Sequence, residues 1–171
     1  MNYKFLIICA PLVACMTACS GSADIGSVFS IAGETLYVHS SVGNDALVSA
    51  AGDLSIDGKD IAATPQQRAL LKRYYESVSR LRDHAVDAGK AGAATGTQAI
   101  ASVASGLAGG HPDTIGPEIE AKAAKVESAV AEMCANLKDV RALQDELARQ
   151  LPEFLPYVRI DERTVARCHR S

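Results

Sequence analysis

The sequence predicts an α+β domain: a small N-terminal antiparallel β-meander packed on a long antiparallel helical hairpin, with a C-terminal tail folding back along it. Three observations carry this expectation. Residues 34–62 alternate apolar and polar side chains between turn dipeptides, residues 64–108 and 117–151 each keep an apolar seam at helical spacing, and residues 152–171 open with a proline-rich apolar stretch. Together residues 34–171 make one domain, long enough for a respectable core and too short for two.

Ahead of it lies a bacterial lipoprotein signal. Lys4 sits in a short polar start, an apolar run spans Phe5 to Ala14, and two cysteines follow, each preceded by small residues. Leu12-Val13-Ala14-Cys15 and Met16-Thr17-Ala18-Cys19 both fit cleavage before an acylated cysteine. Leu at −3 speaks for Cys15. Cleavage there, however, leaves a very short signal and keeps the apolar Met16-Thr17-Ala18 in the mature chain. Cleavage before Cys19 makes residues 1–18 the signal and is followed at once by Ser20-Gly21-Ser22-Ala23-Asp24, the composition of a flexible tether, read here as residues 19–33. Cys19 is the expected lipidation site and Cys15 the alternative. Ser20 after the lipidated cysteine points to the outer membrane, with the domain on its periplasmic face and the inner membrane as the lesser option.

In the meander, Leu36-Tyr37-Val38-His39, Ala46-Leu47-Val48, Leu54-Ser55-Ile56 and Lys59-Asp60-Ile61 read as three or four short strands, with Asp57-Gly58 as a two-residue hairpin turn. Asp53, Asp57 and Asp60 invite a calcium-loop reading. The spacing opposes it, since an EF-hand loop from Asp53 would put Ser55 at position 3 and Thr64 at position 12.

Thr64-Pro65-Gln66-Gln67 starts the first helix by an N-cap, a proline at the first helical position and a capping box. Leu71, Tyr74, Val78, Leu81, Ala85 and Ala88 then form one seam, widened by Leu70 and Tyr75. The seam continues with smaller side chains, Gly92, Thr95, Ala99, Ser102 and Gly106; from Ala91 to Gly110 no residue is charged, and Gly89, Gly92 and Gly96 give small-xxx-small spacing. Ile100, Val103 and Leu107 are too few large apolar residues for a membrane span. The expectation is a narrow tip where two helix backbones approach closely. The second helix repeats Ile119, Ala123, Val126, Val130, Met133, Leu137, Val140, Gln144, Leu147 and Leu151 before Pro152, and a turn at residues 109–116 joins the pair.

Glu153 to Ile160 is too rich in proline for a helix and should supply buried anchors; Asp161 then caps a short last helix carrying Val165 and Cys168. Once Cys19 is acylated and Cys9 and Cys15 are removed, Cys134 and Cys168 remain as an even pair in an oxidising compartment. The path closes: Cys134 lies about 25 Å back along the helix from Leu151, and about nine extended residues cover roughly 30 Å. A Cys134–Cys168 disulfide is therefore expected.

At this point a resemblance appears. Gly-Asp-Leu-x-Ile-x-Gly (Gly52 to Gly58), Thr-Pro-x-Gln-Arg-x-Leu-Leu-x-x-Tyr-Tyr (Thr64 to Tyr75), the Gly/Ala stretch, a cysteine in a long helix and Leu-Pro-x-Phe-x-Pro-Tyr (Leu151 to Tyr157) resemble the YggN-like domain of unknown function, found in proteobacterial periplasmic proteins and lipoproteins. The resemblance covers most of the mature chain. It implies an envelope location and a single domain, and it transfers no active site.

Direct search for chemistry returns little. His39, His84, His111 and His169 are scattered, without HExxH, Cys-x-x-Cys or Gly-x-Ser-x-Gly. The adjacent Cys168 and His169 would be the best thiol–base pair, but neighbours on a helix point apart. No catalytic residue, metal or cofactor is expected. The net charge of −3 offers no broad basic face for nucleic acid. Two functional expectations follow: a lipid-anchored structural protein presenting its hairpin to an envelope protein partner, or a carrier holding an apolar or peptide ligand between meander and helices, with Tyr74 and Tyr75 marking the groove.

Overall fold

The computed structural model describes residues 26–40, 43–109 and 115–168, with the backbone alone at 95, 98–109, 115–119 and 122. Both lipidation candidates, Cys15 and Cys19, lie outside the described residues, as do His111 and His169.

Five strands form an antiparallel meander in the order of the chain: β1 (Phe29–Ala32), β2 (Thr35–Val38), β3 (Ala46–Ser49), β4 (Leu54–Ile56) and β5 (Lys59–Ile61). One row of partners runs Leu36, Val48, Leu54 and Ile61, so a single face collects the apolar side chains. Asp57 and Gly58 both have positive φ, as a type I′ hairpin turn requires. The expected tether of residues 19–33 needs correction at its end. Phe29–Ala32 is a strand, paired with β2 from Phe29↔Val38 to Ala32↔Thr35, and the Phe29 side chain is buried. The physical reason is the Gly33-Glu34 turn, where glycine takes the left-handed φ of 59° at the first central position and returns the chain onto β2.

Two helices of unequal length make the hairpin, α1 (Pro65–Gly109, 45 residues) and α2 (Ile115–Gln150, 36 residues). At 1.5 Å per residue these are about 67 and 54 Å long. The capping box is formed in full: Thr64 N–H donates to Gln67 Oε1 (2.8 Å) and Gln67 N–H to Thr64 Oγ1 (3.2 Å). The same Gln67 side chain donates to the Gln150 carbonyl (2.6 Å), so one amide finishes the start of α1 and the end of α2. The connection is tighter than the expected 109–116 turn, with α1 helical through Gly109 and α2 from Ile115.

The core lies at the base of the hairpin. Leu71, Tyr74, Val78 and Leu81 of α1 and Leu137, Val140 and Leu147 of α2 are almost fully buried with Leu36, Val38, Val48 and Leu54 of the sheet. Beyond Leu81 and Cys134 the seam thins to half-buried Ala85, Ala88, Val126, Val130 and Met133. Among the described residues, the glycines expected to allow a close approach at the tip do not make one. Gly89, Gly92 and Gly96 are exposed, and a Cβ built on any of them meets nothing within 4 Å. The sheet and tail that press the helices together stop short of this segment, so nothing there forces the backbones into contact. None of the described helices is long and apolar enough to cross a membrane.

Past Leu151 the chain is not irregular as expected. It makes a 3₁₀ helix, Pro152–Tyr157, in which Pro152 fits the first turn and Phe154 and Tyr157 point into the core. A short helix α3 (Glu162–Cys168) follows, with Asp161 Oδ1 accepting from Thr164 N–H at 2.7 Å. The Thr164 hydroxyl, which also donates to Oδ1 (2.7 Å), and that N–H together hold the Asp161 carboxyl below its ordinary range. The Cys134–Cys168 disulfide is present, with Cα atoms 5.6 Å apart. The tail is also fixed by Gln144, a polar residue in the apolar seam of α2. Its buried amide donates to the Ile160 carbonyl (3.2 Å) and accepts from the Arg159 and Ile160 N–H groups (2.9 and 3.3 Å), so three backbone groups of an extended segment find partners inside the core.

Candidate functional site

Tyr74 and Tyr75 do not mark an open groove. Tyr74 is fully buried between Phe29 (ring centroids 6.2 Å apart) and Phe154 (5.5 Å), both edge-on, while half-buried Tyr75 packs at the margin of the same core. This aromatic cluster fills the space the carrier reading assigned to a ligand. Among the described residues the Tyr74 hydroxyl has no hydrogen-bond partner, and burial pushes its ionisation far above the ordinary tyrosine range. Removing an unpaired buried hydroxyl relieves a desolvation cost, so Tyr74→Phe is expected to leave the fold intact and raise stability by up to about 1 kcal/mol. Urea unfolding followed by circular dichroism checks this; a clear loss of stability would mean that the hydroxyl has a partner.

The acidic cluster also has local uses. Asp53 bonds Ser49 through Oδ2 (3.1 Å) and pairs with Arg68 (2.9 Å), and Asp57 accepts from Asn44. His39 Nδ1 lies 2.9 Å from Asp45, and His84 lies 3.9 Å from Glu132 across the hairpin, so the structure does not bring these two histidines together. Cys168 is committed to the disulfide.

Two concave surfaces stand out; the first lies between meander and helices, as the carrier expectation has it, but is not lined by Tyr74 or Tyr75, and the second was not expected. The first is an apolar cleft of about 440 Å³ where β1 crosses the hairpin, lined by Phe29, Ile31, Val78, Ala85, Val86 and Met133, with Val86 46% exposed. It exists because β1 covers the base of the hairpin and ends there. The second is a groove of about 740 Å³ along the side of the hairpin turned away from the sheet. Leu70, Ala69, Ala142 and Leu143 form its floor; Arg73, Glu76 and Arg80 rise from α1, and Asp139 and Glu146 from α2. Beneath its outer end Asn136 Nδ2 donates to Ser77 Oγ (3.1 Å), and Asn136 Oδ1 is buried without a partner. Periodicity alone gave no sign of either surface, because each depends on where a third element stops.

No match emerges among known proteins. No family model, no curated protein and no solved structure matches the chain. Nothing from another protein therefore assigns a role to either surface, and the functional reading rests on this chain's own residues.

Proposed function

We propose that this chain is a lipid-anchored, non-enzymatic interaction protein of the bacterial envelope, held through Cys19 at the periplasmic face of the outer membrane and presenting its helical hairpin to a protein partner. One observation carries the interaction reading. The fully buried seam of α1 ends at Leu81, and the helix continues for 28 further residues, about 42 Å, as an arm that β1 flanks only at the cleft from Ala85 to Gly89 among the described residues. A globular domain has no internal need for such an arm. The Cys134–Cys168 disulfide supports an oxidising compartment, and the sequence before Gly26 supplies the anchor.

We also propose membership of the YggN-like family. What supports it is that the motif residues have structural occupations: Gly52 at a close backbone contact, Thr64 and Gln67 in the capping box, and Leu71, Tyr74, Phe154 and Tyr157 in the core. A family motif made of such residues describes a scaffold.

The apolar cleft favours a second reading, a carrier for an apolar or peptide ligand, with the ligand outside the aromatic cluster. Purification from native membranes followed by mass spectrometry separates the two: a stoichiometric protein supports the interaction reading, a co-purifying small molecule the carrier. The anchor is tested separately. Labelling with a palmitate analogue is expected to tag the wild type and Cys15→Ala but not Cys19→Ala; the reverse pattern would move the anchor to Cys15, and no label on any of the three would remove it.

A further inference from the structure

The groove on the outer side of the hairpin is charged in a particular way. Its α1 rim carries Arg73 and Arg80, and its α2 rim carries Asp139 and Glu146. Among the described residues Arg73, Arg80 and Asp139 make no ion pair within 4 Å; Glu146 bonds Arg149 and Gln150 of its own helix. The α1 rim thus carries a net positive charge, two arginines against Glu76, and the α2 rim a negative one, Asp139 with Glu146, the latter shared with Arg149. Between the rims the floor is small or aliphatic, and Ala69 and Ala142 are exposed.

We propose that this face is a self-complementary interface for a second copy of the chain, packed hairpin on hairpin about a two-fold axis parallel to the helices. A two-fold interface sets a surface against itself, so a face with opposite signs on its two halves satisfies both at once. Only one in-plane axis does this. An axis across the helices lays α1 on α1 and puts the arginine rim on itself, whereas an axis along them lays α1 on the partner's α2. The levels then agree. Ser77 stands level with Asn136 and Gln67 with Gln150, as their hydrogen bonds show, which places Arg73 level with residues 140–144. Arg73 of one copy accordingly falls between Asp139 and Glu146 of the other, and Arg80 falls level with the partner's residues 133–137, just beyond Asp139. Exposed alanines on both helices permit the roughly 8–10 Å approach of packed helices, and the result is a four-helix bundle along the base of the hairpin.

The proposal does not depend on the lipid anchor, but it agrees with one. The axis along the helices leaves both N-termini at the same end of the dimer, as two copies held in one membrane require, and the crosswise axis would put them at opposite ends. Shared anchoring also raises the local concentration of each copy for the other.

Sedimentation of the full chain in density-matched detergent tests the interface. At about 100 µM the wild type is expected to sediment as a dimer that dissociates as salt is raised to about 0.5 M. Arg73→Glu with Arg80→Glu should be monomeric, as should Asp139→Arg with Glu146→Arg, each weakening self-association by about tenfold or more. An equimolar mixture of the two variants should dimerise again, because the reversed rims complement each other. A monomeric wild type, a dimer indifferent to both reversals, or a mixture that stays monomeric would each overturn the proposal. Arg73, Arg80 and Asp139 are exposed, so the reversals leave the core untouched.

Discussion

Gly52→Ala is expected to lower the stability of the domain by about 2–5 kcal/mol, adding left-handed strain to overpacking. Gly52 has φ of 88° and is buried in the turn between β3 and β4. A Cβ there would lie 2.2 Å from the carbonyl oxygen of Arg68, in the first turns of α1. That oxygen belongs to helix backbone and cannot swing aside, so the sheet would have to lift from the helix. The turn around it is tightly closed, with Gly52 N–H bonded to the Ser49 carbonyl and Asp53 N–H to Ser49 Oγ. Gly58→Ala is the control. Its φ is 69°, but nothing lies within 4 Å of the added carbon, so only the conformational cost of about 1–2 kcal/mol applies. Urea midpoints of the two variants distinguish the effects; equal midpoints would mean that the Arg68 contact is loose.

Loss of the disulfide comes second. Cys134 and Cys168 are 34 residues apart in sequence, and closing a loop of that size removes enough unfolded-state freedom to contribute about 3–4 kcal/mol. Cys168→Ser should therefore lower the unfolding midpoint sharply, and Cys134→Ser with Cys168→Ser should lower it by a similar amount, since both remove one cross-link. Non-reducing peptide mapping identifies the bridge independently. Alkylatable thiols at both positions in freshly isolated protein would show it to be absent.

Much of this fold is legible in the sequence wherever a local rule has no competitor. The capping box of Thr64 and Gln67, the Asp57-Gly58 turn and the seam from Leu71 to Leu81 depend on neighbours in sequence, and each forms as its rule requires. The disulfide was legible because helical rise and chain reach bound where a tail can go. β1 was missed because polar Ser27 precedes it and Ser30 interrupts it, although the alternation of Phe29 and Ile31 before Gly33 was the available signal. The tip was misread for a different reason. Small residues permit close packing without compelling it, and Gly92 and Gly96 face open space because no third element presses on them. Gln144 shows the same limit from the other side. It occupies an apolar position of the seam, and its purpose is set by Arg159 and Ile160, residues whose path no periodicity encodes. Both clefts belong to this class, being products of where elements end.

The position of the disulfide has a kinetic consequence. Cys134 stands at the boundary where the buried seam gives way to the half-buried arm, and the bond ties that point of α2 to α3. The outer turns hold little apolar surface, so their amides open at low cost, while those of the base open only with the whole domain. A covalent collar at the boundary keeps fraying that begins at the tip from travelling down α2 into the core. Amide hydrogen exchange is therefore expected to be faster in the described turns beyond Leu81 and Cys134 than in the base.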